Sequence, residues 1–250
     1  IAHGPADVKP VDGVSFSIYE GEILGLGGET GCGKTTIGKL LTGLEKPPEG
    51  AILYRGMDIL DWTAKQQKKY RTKIQMIFQD PYSSLNPRKH IYEILAAPML
   101  YHGISEKQTD EKEVKELLEM VGMPQSALGR YPHEFSGGQR QRIGIARALS
   151  LKPEFIVCDE PVSALDVSVQ AQILNLLKSL QNELQLTLLF IGHGLGAVHY
   201  VSDRIAVMQN GRIVELGDAR EVFHHPQQEY TKMLLNSILE PKAYSEDRDS

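Results

Sequence analysis

The chain is poor in cysteine: Cys32 and Cys158 are the two among 250 residues. That excludes a disulfide-stapled secreted fold and leaves two reduced thiols in a cytosolic protein as the expectation. It lacks a basic excess. The net charge is −5 and the isoelectric point about 5.9, so no general positive field invites nucleic acid. It also lacks a long apolar run. No stretch approaches the roughly 20 residues that span a bilayer, so any membrane role must come through a partner. No signal-peptide pattern opens the sequence. Ile1 rather than Met stands first, and the natural start is expected to lie upstream. There is no internal repeat and no long low-complexity segment. What remains is ordinary globular composition, 41% hydrophobic and 24% charged. The length suits one large domain, or a core with a smaller subdomain.

Gly28-Glu29-Thr30-Gly31-Cys32-Gly33-Lys34-Thr35 fits the phosphate-binding loop pattern. Its glycines let the backbone turn amide N–H groups inward around a polyphosphate. Lys34 brings positive charge to the outer phosphates, and Thr35 offers a hydroxyl to Mg²⁺. The apolar Ile23-Leu24-Gly25-Leu26 before it reads as a buried strand. Ile37, Leu40, Leu41 and Leu44 after it have helical spacing. The loop therefore lies between a strand and a helix N-terminus, where the helix dipole favours an anion. Cys32 sits inside this loop, and nearby positive charge is expected to make it sensitive to alkylation.

Residues 11–27 read as two strands joined at Glu20-Gly21, and Ala51–Tyr54 as a short strand after the Pro47-Pro48-Glu49-Gly50 turn. Residues 63–71 read as a short polar helix. Ile74–Phe78 is a compact apolar strand ending at Gln79. From 89 to 149 the pattern is helical, with Val114, Leu117, Leu118 and Val121 on one face. Strand signals return at Phe155–Cys158 and Leu186–Ile191. Ile173, Leu176, Leu177, Leu180 and Leu184 mark an amphipathic helix between them. This alternation predicts an α/β fold with a mostly parallel sheet and an inserted helical subdomain. Ile205–Met208 and Ile213–Leu216 flank Gln209-Asn210-Gly211, a hairpin signal. The tail from about 241 is polar and expected to fray.

Two further motifs carry chemistry. Phe155-Ile156-Val157-Cys158-Asp159-Glu160 is an apolar strand ending in two acids. In phosphate-loop enzymes such an Asp supports Mg²⁺, and the adjacent Glu is placed to polarise a water. Neighbouring carboxylates at a strand end are costly without a cation nearby. Phe135-Ser136-Gly137-Gly138-Gln139 leads into a helix expected over Arg140–Leu149. A hydroxyl, bare backbone and a helix N-terminus there make a second anion site. One nucleotide needs one phosphate loop, so the second site suggests a nucleotide held by another subunit.

Taken in order, the phosphate loop, Gln79, Ser136-Gly137-Gly138-Gln139, Asp159-Glu160, Ser163-Ala164-Leu165-Asp166 and His193 resemble the ATP-binding cassette (ABC) ATPases. The resemblance covers about residues 8 to 238. Ile74–Pro81 with Ser84–Arg88, Arg130–Gln139 and Asp159–Ser168 look like the oligopeptide/dipeptide importer branch, whose wording the nickel importers share.

The resemblance implies a P-loop NTPase core over 1–88 and 150–218, combining a mostly parallel sheet with an antiparallel β-subdomain. It implies a helical subdomain over 89–149 and a C-terminal helix and tail over 219–250, all within a single cassette domain. It implies that Lys34, Thr35 and Thr36, with the amides of residues 31–36, bind the phosphates of ATP, and that Thr35 and Gln79 reach Mg²⁺. Asp159 would support the metal and Glu160 would be the catalytic base. His193 would contact the γ-phosphate and help hold the attacking water. Phe135, Ser136, Gly137, Gly138 and Gln139 would serve the nucleotide of the facing subunit, and Asp166 would lie in the loop that communicates across that interface. The implied partners are a second cassette, either a paralogue or a second copy, two transmembrane permease subunits, and indirectly a solute-binding protein. The implied location is the cytoplasmic face of the membrane, held peripherally; no nucleic acid is expected.

Three positions depart from the family. The aromatic that stacks on adenine should fall near residues 1–6, where His3 is the nearest substitute. Gly194 stands where Asp usually follows the switch histidine, and Gly27 where a β-branched residue is usual. Some branch members carry C-terminal cysteines for an iron–sulfur cluster; this chain has none there, so no cluster is expected. A soluble ABC ATPase that remodels a protein or nucleic-acid complex remains an alternative to transport. A nucleotide-gated module that no longer hydrolyses ATP is disfavoured by the presence of Glu160 and His193.

Overall fold

The five residues Ile23–Gly27 (β1) are all buried, as a strand covered on both faces requires. They occupy the interior of a sheet in a computed structural model that describes residues 11–80, 82–104 and 111–239. The phosphate loop follows directly and runs into helix α1 (Lys34–Leu41). Next come the short strands β2 (Leu53–Tyr54) and β3 (Met57–Asp58), helix α2 (Ala64–Lys73) and strand β4 (Ile74–Ile77). Helices α3 (Ile91–His102), α4 (Glu111–Met120) and α5 (Gly137–Leu149) lead to β5 (Phe155–Asp159). The chain continues through α6 (Val167–Leu184), β6 (Thr187–Gly192), α7 (Leu195–Val201), β7 (Arg204–Gln209) and β8 (Arg212–Asp218). Helices α8 (Ala219–His224) and α9 (Glu229–Leu239) follow.

The six-stranded sheet has the order β4-β5-β6-β1-β7-β8. All neighbours are parallel except β7 and β8, which form an antiparallel hairpin. Its turn is Asn210-Gly211, at φ 48° and 81°, the pair of left-handed residues that a tight two-residue hairpin needs.

Both sheet faces are covered. Ile156, Cys158, Leu188, Phe190, Ile205 and Val207 join a cluster with Ile143 of α5, Ile173 of α6 and Val198 of α7. The same cluster runs on through Leu95, Met99, Val114 and Leu118, so the helical stretch shares one apolar core with the sheet. Leu24, Leu26, Val157, Leu189 and Ile191 face the other way, onto Ile37 of α1. Phe190 is 1% exposed, and burying a side chain of that size stabilises by roughly 1.5–3 kcal/mol.

Several elements differ from expectation. Residues 11–20 form no strand. Val14, Phe16 and Ile18 lie half-buried against the second cluster, with Ser15, Ser17 and Tyr19 exposed between them. Alternation reports a half-buried extended segment and says nothing about a backbone partner. The strand expected over Ala51–Tyr54 shrinks to Leu53–Tyr54, paired with Met57–Asp58. Among the described residues, antiparallel pairing is confined to this hairpin and to β7–β8. Helix α5 begins at Gly137 rather than Arg140. Ser136 caps it, accepting from Gln139 N–H while Gln139 Oε1 accepts from Ser136 N–H. That reciprocal cap outweighs the poor helix propensity of two glycines. On α6, Ile173, Leu177 and Leu180 are buried as expected, but Leu184 is 43% exposed.

Candidate nucleotide site

The strand register lines up four chain segments. Gly27 pairs with Gly192, Asp159 with Ile191 and Ile77 with Cys158. The C-terminal ends of β1, β6, β5 and β4 therefore fall on one edge. Each is followed by a segment singled out in the sequence: the phosphate loop, His193, Glu160 and Gln79. Ligands of open α/β sheets bind at this edge.

Gly28 opens the loop at φ 150°, and an added Cβ would sit 2.2 Å from the carbonyl oxygen of Met208. A residue with a side chain cannot pass so close to β7. From Glu29 to Cys32 the loop is held locally by Cys32 N–H donating to Glu29 O at 3.4 Å, and from outside by Gly211 N–H donating to Cys32 O at 3.0 Å. Gly33 then caps α1, so Lys34, Thr35 and Thr36 occupy its first turn. Helices leave their first N–H groups without internal partners, and here those groups point out of the sheet edge.

Lys34 is 4% exposed and bends back over the loop. Its ammonium donates to Gly28 O at 2.7 Å and Glu29 O at 2.8 Å, and lies 3.7 Å from Cys32 Sγ. Thr35 Oγ1 donates to Asp159 Oδ1 at 3.0 Å. Asp159 is 4% exposed, and burial pushes its carboxyl above the usual range, partly offset by the Thr35 hydrogen bond. A buried carboxylate beside a hydroxyl is a hard-oxygen set, with Lys34 and Lys39 the positive charges that act on it. Among the described residues no group of three or more His, Cys, Asp or Glu forms a cation cage. These two facts fit Mg²⁺, which binds through one or two protein oxygens and takes the rest from phosphate and water.

Gln79 Nε2 donates to Glu160 Oε2 at 2.9 Å, leaving the Gln79 carbonyl oxygen outside that bond. Glu160 itself has a left-handed backbone at φ 45°. This is uncommon for a residue with a side chain and recurs at functional positions. It is pinned from both sides: Glu160 N–H donates to Ile191 O at 3.0 Å, and its own carbonyl accepts from Ser163 N–H and Oγ. Across the edge, Thr30 Oγ1 lies 3.2 Å from His193 Nε2. Gly194 has φ −98° and ψ 126°, which any residue adopts, and a Cβ there would meet nothing within 4 Å.

The second glycine motif is not part of this cluster. Ser136 and Gln139 are exposed, and Gly137 and Gly138 pack on Leu165 and Val169, beside Tyr82. Phe135 is 4% exposed and lies under the Arg130 guanidinium at 4.3 Å, so it anchors the tip from within. Asp166 caps α6 with its backbone, and its exposed side chain makes no cap hydrogen bond. The motif thus presents an exposed hydroxyl at a helix start, and the hydrogen bonds between Ser136 and Gln139 stay within the cap. The adenine-stacking position expected near His3 lies outside the described residues.

Both cysteines are free thiols inside the protein. Cys32 is 7% exposed, tucked behind the loop. Cys158 lies wholly inside, and burial pushes its thiol up to about 12. Nothing in the local composition calls for Glu160's left-handed backbone.

Sheet order, phosphate loop and strand-end acids together define a P-loop nucleotide-binding protein. Residues 11–163 match the family described as ABC transporter. The chain belongs to that family. It is 53% identical over 232 residues to the oligopeptide transport ATP-binding protein OppF of Lactococcus lactis subsp. lactis (strain IL1403), covering 93% of this chain and 73% of that one. It is 53% identical over 233 residues to the oligopeptide transport ATP-binding protein AppF of Bacillus subtilis (strain 168), covering 93% and 71%. Among solved structures it resembles a dimeric post-hydrolysis state of the ATP-binding cassette MJ0796 bound to ADP and Pi, with a TM-score of 0.77 and 28% identity over 88% of this chain and 95% of that one. Among the described residues, no helix is long and apolar enough to cross a membrane.

Proposed function

We propose that this chain is the ATP-hydrolysing subunit of an importer for oligopeptides or dipeptides. The observation that carries the hydrolytic reading is the meeting of Thr35, Asp159, Gln79 and Glu160 at one sheet edge, through contacts of 3.0 and 2.9 Å. The peptide reading rests on relatives described as oligopeptide transport ATP-binding proteins.

The reaction is phosphoryl transfer to water, in which positioning and charge neutralisation dominate. Residues 31–36 cradle the phosphates with backbone N–H groups, and Lys34 adds its ammonium. Thr35, Asp159 and Gln79 would hold Mg²⁺, which would supply charge neutralisation at the phosphates. Glu160 accepts the proton of the attacking water. Gln79 orients that carboxylate, and His193 donates toward the γ-phosphate. Ser136, Gly137, Gly138 and Gln139 face the nucleotide of a second cassette, with Phe135 supporting them from below. Asp166 lies beside that tip and carries the state of one site to the other. ATP therefore glues two cassettes together, and its cleavage opens them. The second cassette is a paralogue. Two permease subunits receive the motion at the cytoplasmic face of the membrane, and a solute-binding protein delivers the peptide.

Copurification from native membranes followed by mass spectrometry tests the assembly. Two permeases and a second, different cassette are expected. Recovery with a nickel-transport permease, or with no membrane protein, overturns the peptide reading. Absence of Mg²⁺-dependent ATP hydrolysis in the recovered complex overturns the enzymatic one.

A further inference from the structure

The phosphate loop is held from behind by the C-terminal part of the chain. Gly211, in the β7–β8 turn, takes Cys32 O. At the other end of the loop, Glu29 N–H donates to the Tyr230 hydroxyl at 3.3 Å, across 201 residues. Tyr230 belongs to α9, and that helix is itself fixed. Glu215 on β8 accepts from Gln227 N–H at 2.8 Å and Gln228 N–H at 3.2 Å, just before the helix starts. Thr231 is fully buried, Leu235 is 7% exposed, and the Tyr230 ring packs against the main core.

The position of this contact matters more than its strength. Gly28 C=O and Glu29 N–H are the two ends of one planar peptide unit. The carbonyl end receives the Lys34 ammonium at 2.7 Å, and the amide end is taken by Tyr230. Rotating that unit would break both bonds together. Gly28 lies so close to β7 that an added Cβ would sit 2.2 Å from Met208 O. A hydrogen bond from α9 thus holds the peptide unit that takes one of the two carbonyl bonds of the loop lysine.

We propose that Tyr230 is a positioning residue for the phosphate loop, through which helix α9 sets nucleotide affinity; this rests on the loop binding a nucleotide, as inferred above. Tyr230 touches no phosphate. It orients the peptide unit that orients Lys34.

Tyr230→Phe in the full chain keeps the ring and removes the hydroxyl. Losing one neutral hydrogen bond should weaken equilibrium binding of the fluorescent probe mant-ATP with Mg²⁺ about fivefold, or about 1 kcal/mol at 1.4 kcal/mol per tenfold. In steady state KM for ATP should rise by a similar factor, with kcat at saturating ATP within about twofold. In the nucleotide-free protein the Glu29 amide should exchange with deuterium about fivefold faster, with α9 amides unchanged. Unchanged mant-ATP affinity together with unchanged Glu29 exchange would overturn the proposal. So would weaker binding accompanied by faster exchange throughout α9, which would reduce Tyr230 to a residue of the fold. Wild-type protein that binds no mant-ATP would overturn the nucleotide reading itself. Faster Glu29 exchange in the variant would then still uphold the loop-positioning role.

Discussion

Gln79 and Glu160 meet at 2.9 Å although 81 residues separate them, and the bond joins the ends of β4 and β5. Gln79 opens the connection into the helical stretch α3–α5, while Glu160 directly follows β5.

Glu160→Gln preserves that contact, because the amide oxygen of Gln accepts as a carboxylate oxygen does. It removes the charge that takes a proton. ATP binding should be unchanged within about twofold, and turnover should fall by about 10² to 10⁴, the range of a lost general base. The variant should accumulate as an ATP-bound dimer, while wild-type protein without nucleotide sediments as a monomer. Normal steady-state hydrolysis would remove Glu160 as the base, and a tight nucleotide-free dimer would contradict the glue.

Asp159 gives a pH-dependent prediction. Burial raises its carboxyl above the ordinary value, so the folded protein holds this proton to higher pH than the unfolded chain does. By linkage, the contribution of this group to stability is greatest below the ordinary Asp value. It is lost as pH climbs from there through the raised native value. Asp159→Asn removes the penalty and keeps the Thr35 bond, whose acceptor is Oδ1. The metal-free variant should be more stable at neutral pH, by on the order of 1 kcal/mol, at the expense of Mg²⁺-dependent ATP binding. The gain should vanish in acid. Urea titrations at two pH values measure both; a neutral-pH loss would show that Asp159 rests comfortably as an anion.

Much of this site was legible in the sequence because phosphate chemistry fixes its spacing. The Gly28–Thr35 run, the Asp159-Glu160 pair and the apolar strands before them form a local pattern, and the parallel register brings them together without further information. Residues whose role depends on distant contacts were silent. Tyr230 reads as one more aromatic on an amphipathic helix, since its partner at Glu29 lies at the far end of the chain. Residues 11–18 alternate like a strand yet pair with nothing ladder-like, because burial of one face and backbone pairing are separate conditions. Helix α5 starts three residues before the expected Arg140 because the Ser136–Gln139 cap, a reciprocal pair of hydrogen bonds, outweighs the low propensity of the two glycines.

That cap makes Ser136 a residue with two separable contributions. Ser136→Ala should lose about 1 kcal/mol of stability with the N-cap. If the hydroxyl also faces a partner's nucleotide, ATP turnover should fall at least tenfold in the assembled complex. The affinity of the isolated chain for ATP should be unchanged, since Ser136 bonds to Gln139 within its own cap. Thermal unfolding reads the first effect and activity as a function of protein concentration the second. Weaker ATP binding by the isolated chain would contradict the outward-facing placement.

Gly27 and Leu195 occupy one space between them. A Cβ on Gly27 would lie 2.4 Å from Leu195 Cδ2, and Leu195 is 2% exposed at the start of α7. The backbone of Gly27 is that of an ordinary strand residue, so the obstacle to a β-branched side chain is steric. Gly27→Val should cost about 1–3 kcal/mol by overpacking. Leu195→Ala alone should cost about 2–5 kcal/mol by leaving a cavity. Together the two should cost less than their sum, because the valine fills what the leucine vacates. The pair also bears on catalysis. Leu195 follows His193 by two residues, so forcing α7 outward carries Nε2 away from Thr30, its neighbour at 3.2 Å. ATP turnover should therefore drop in Gly27→Val and recover in the double variant. Strict additivity in urea unfolding, or a turnover defect that Leu195→Ala fails to relieve, would show that the two residues do not share this space in solution.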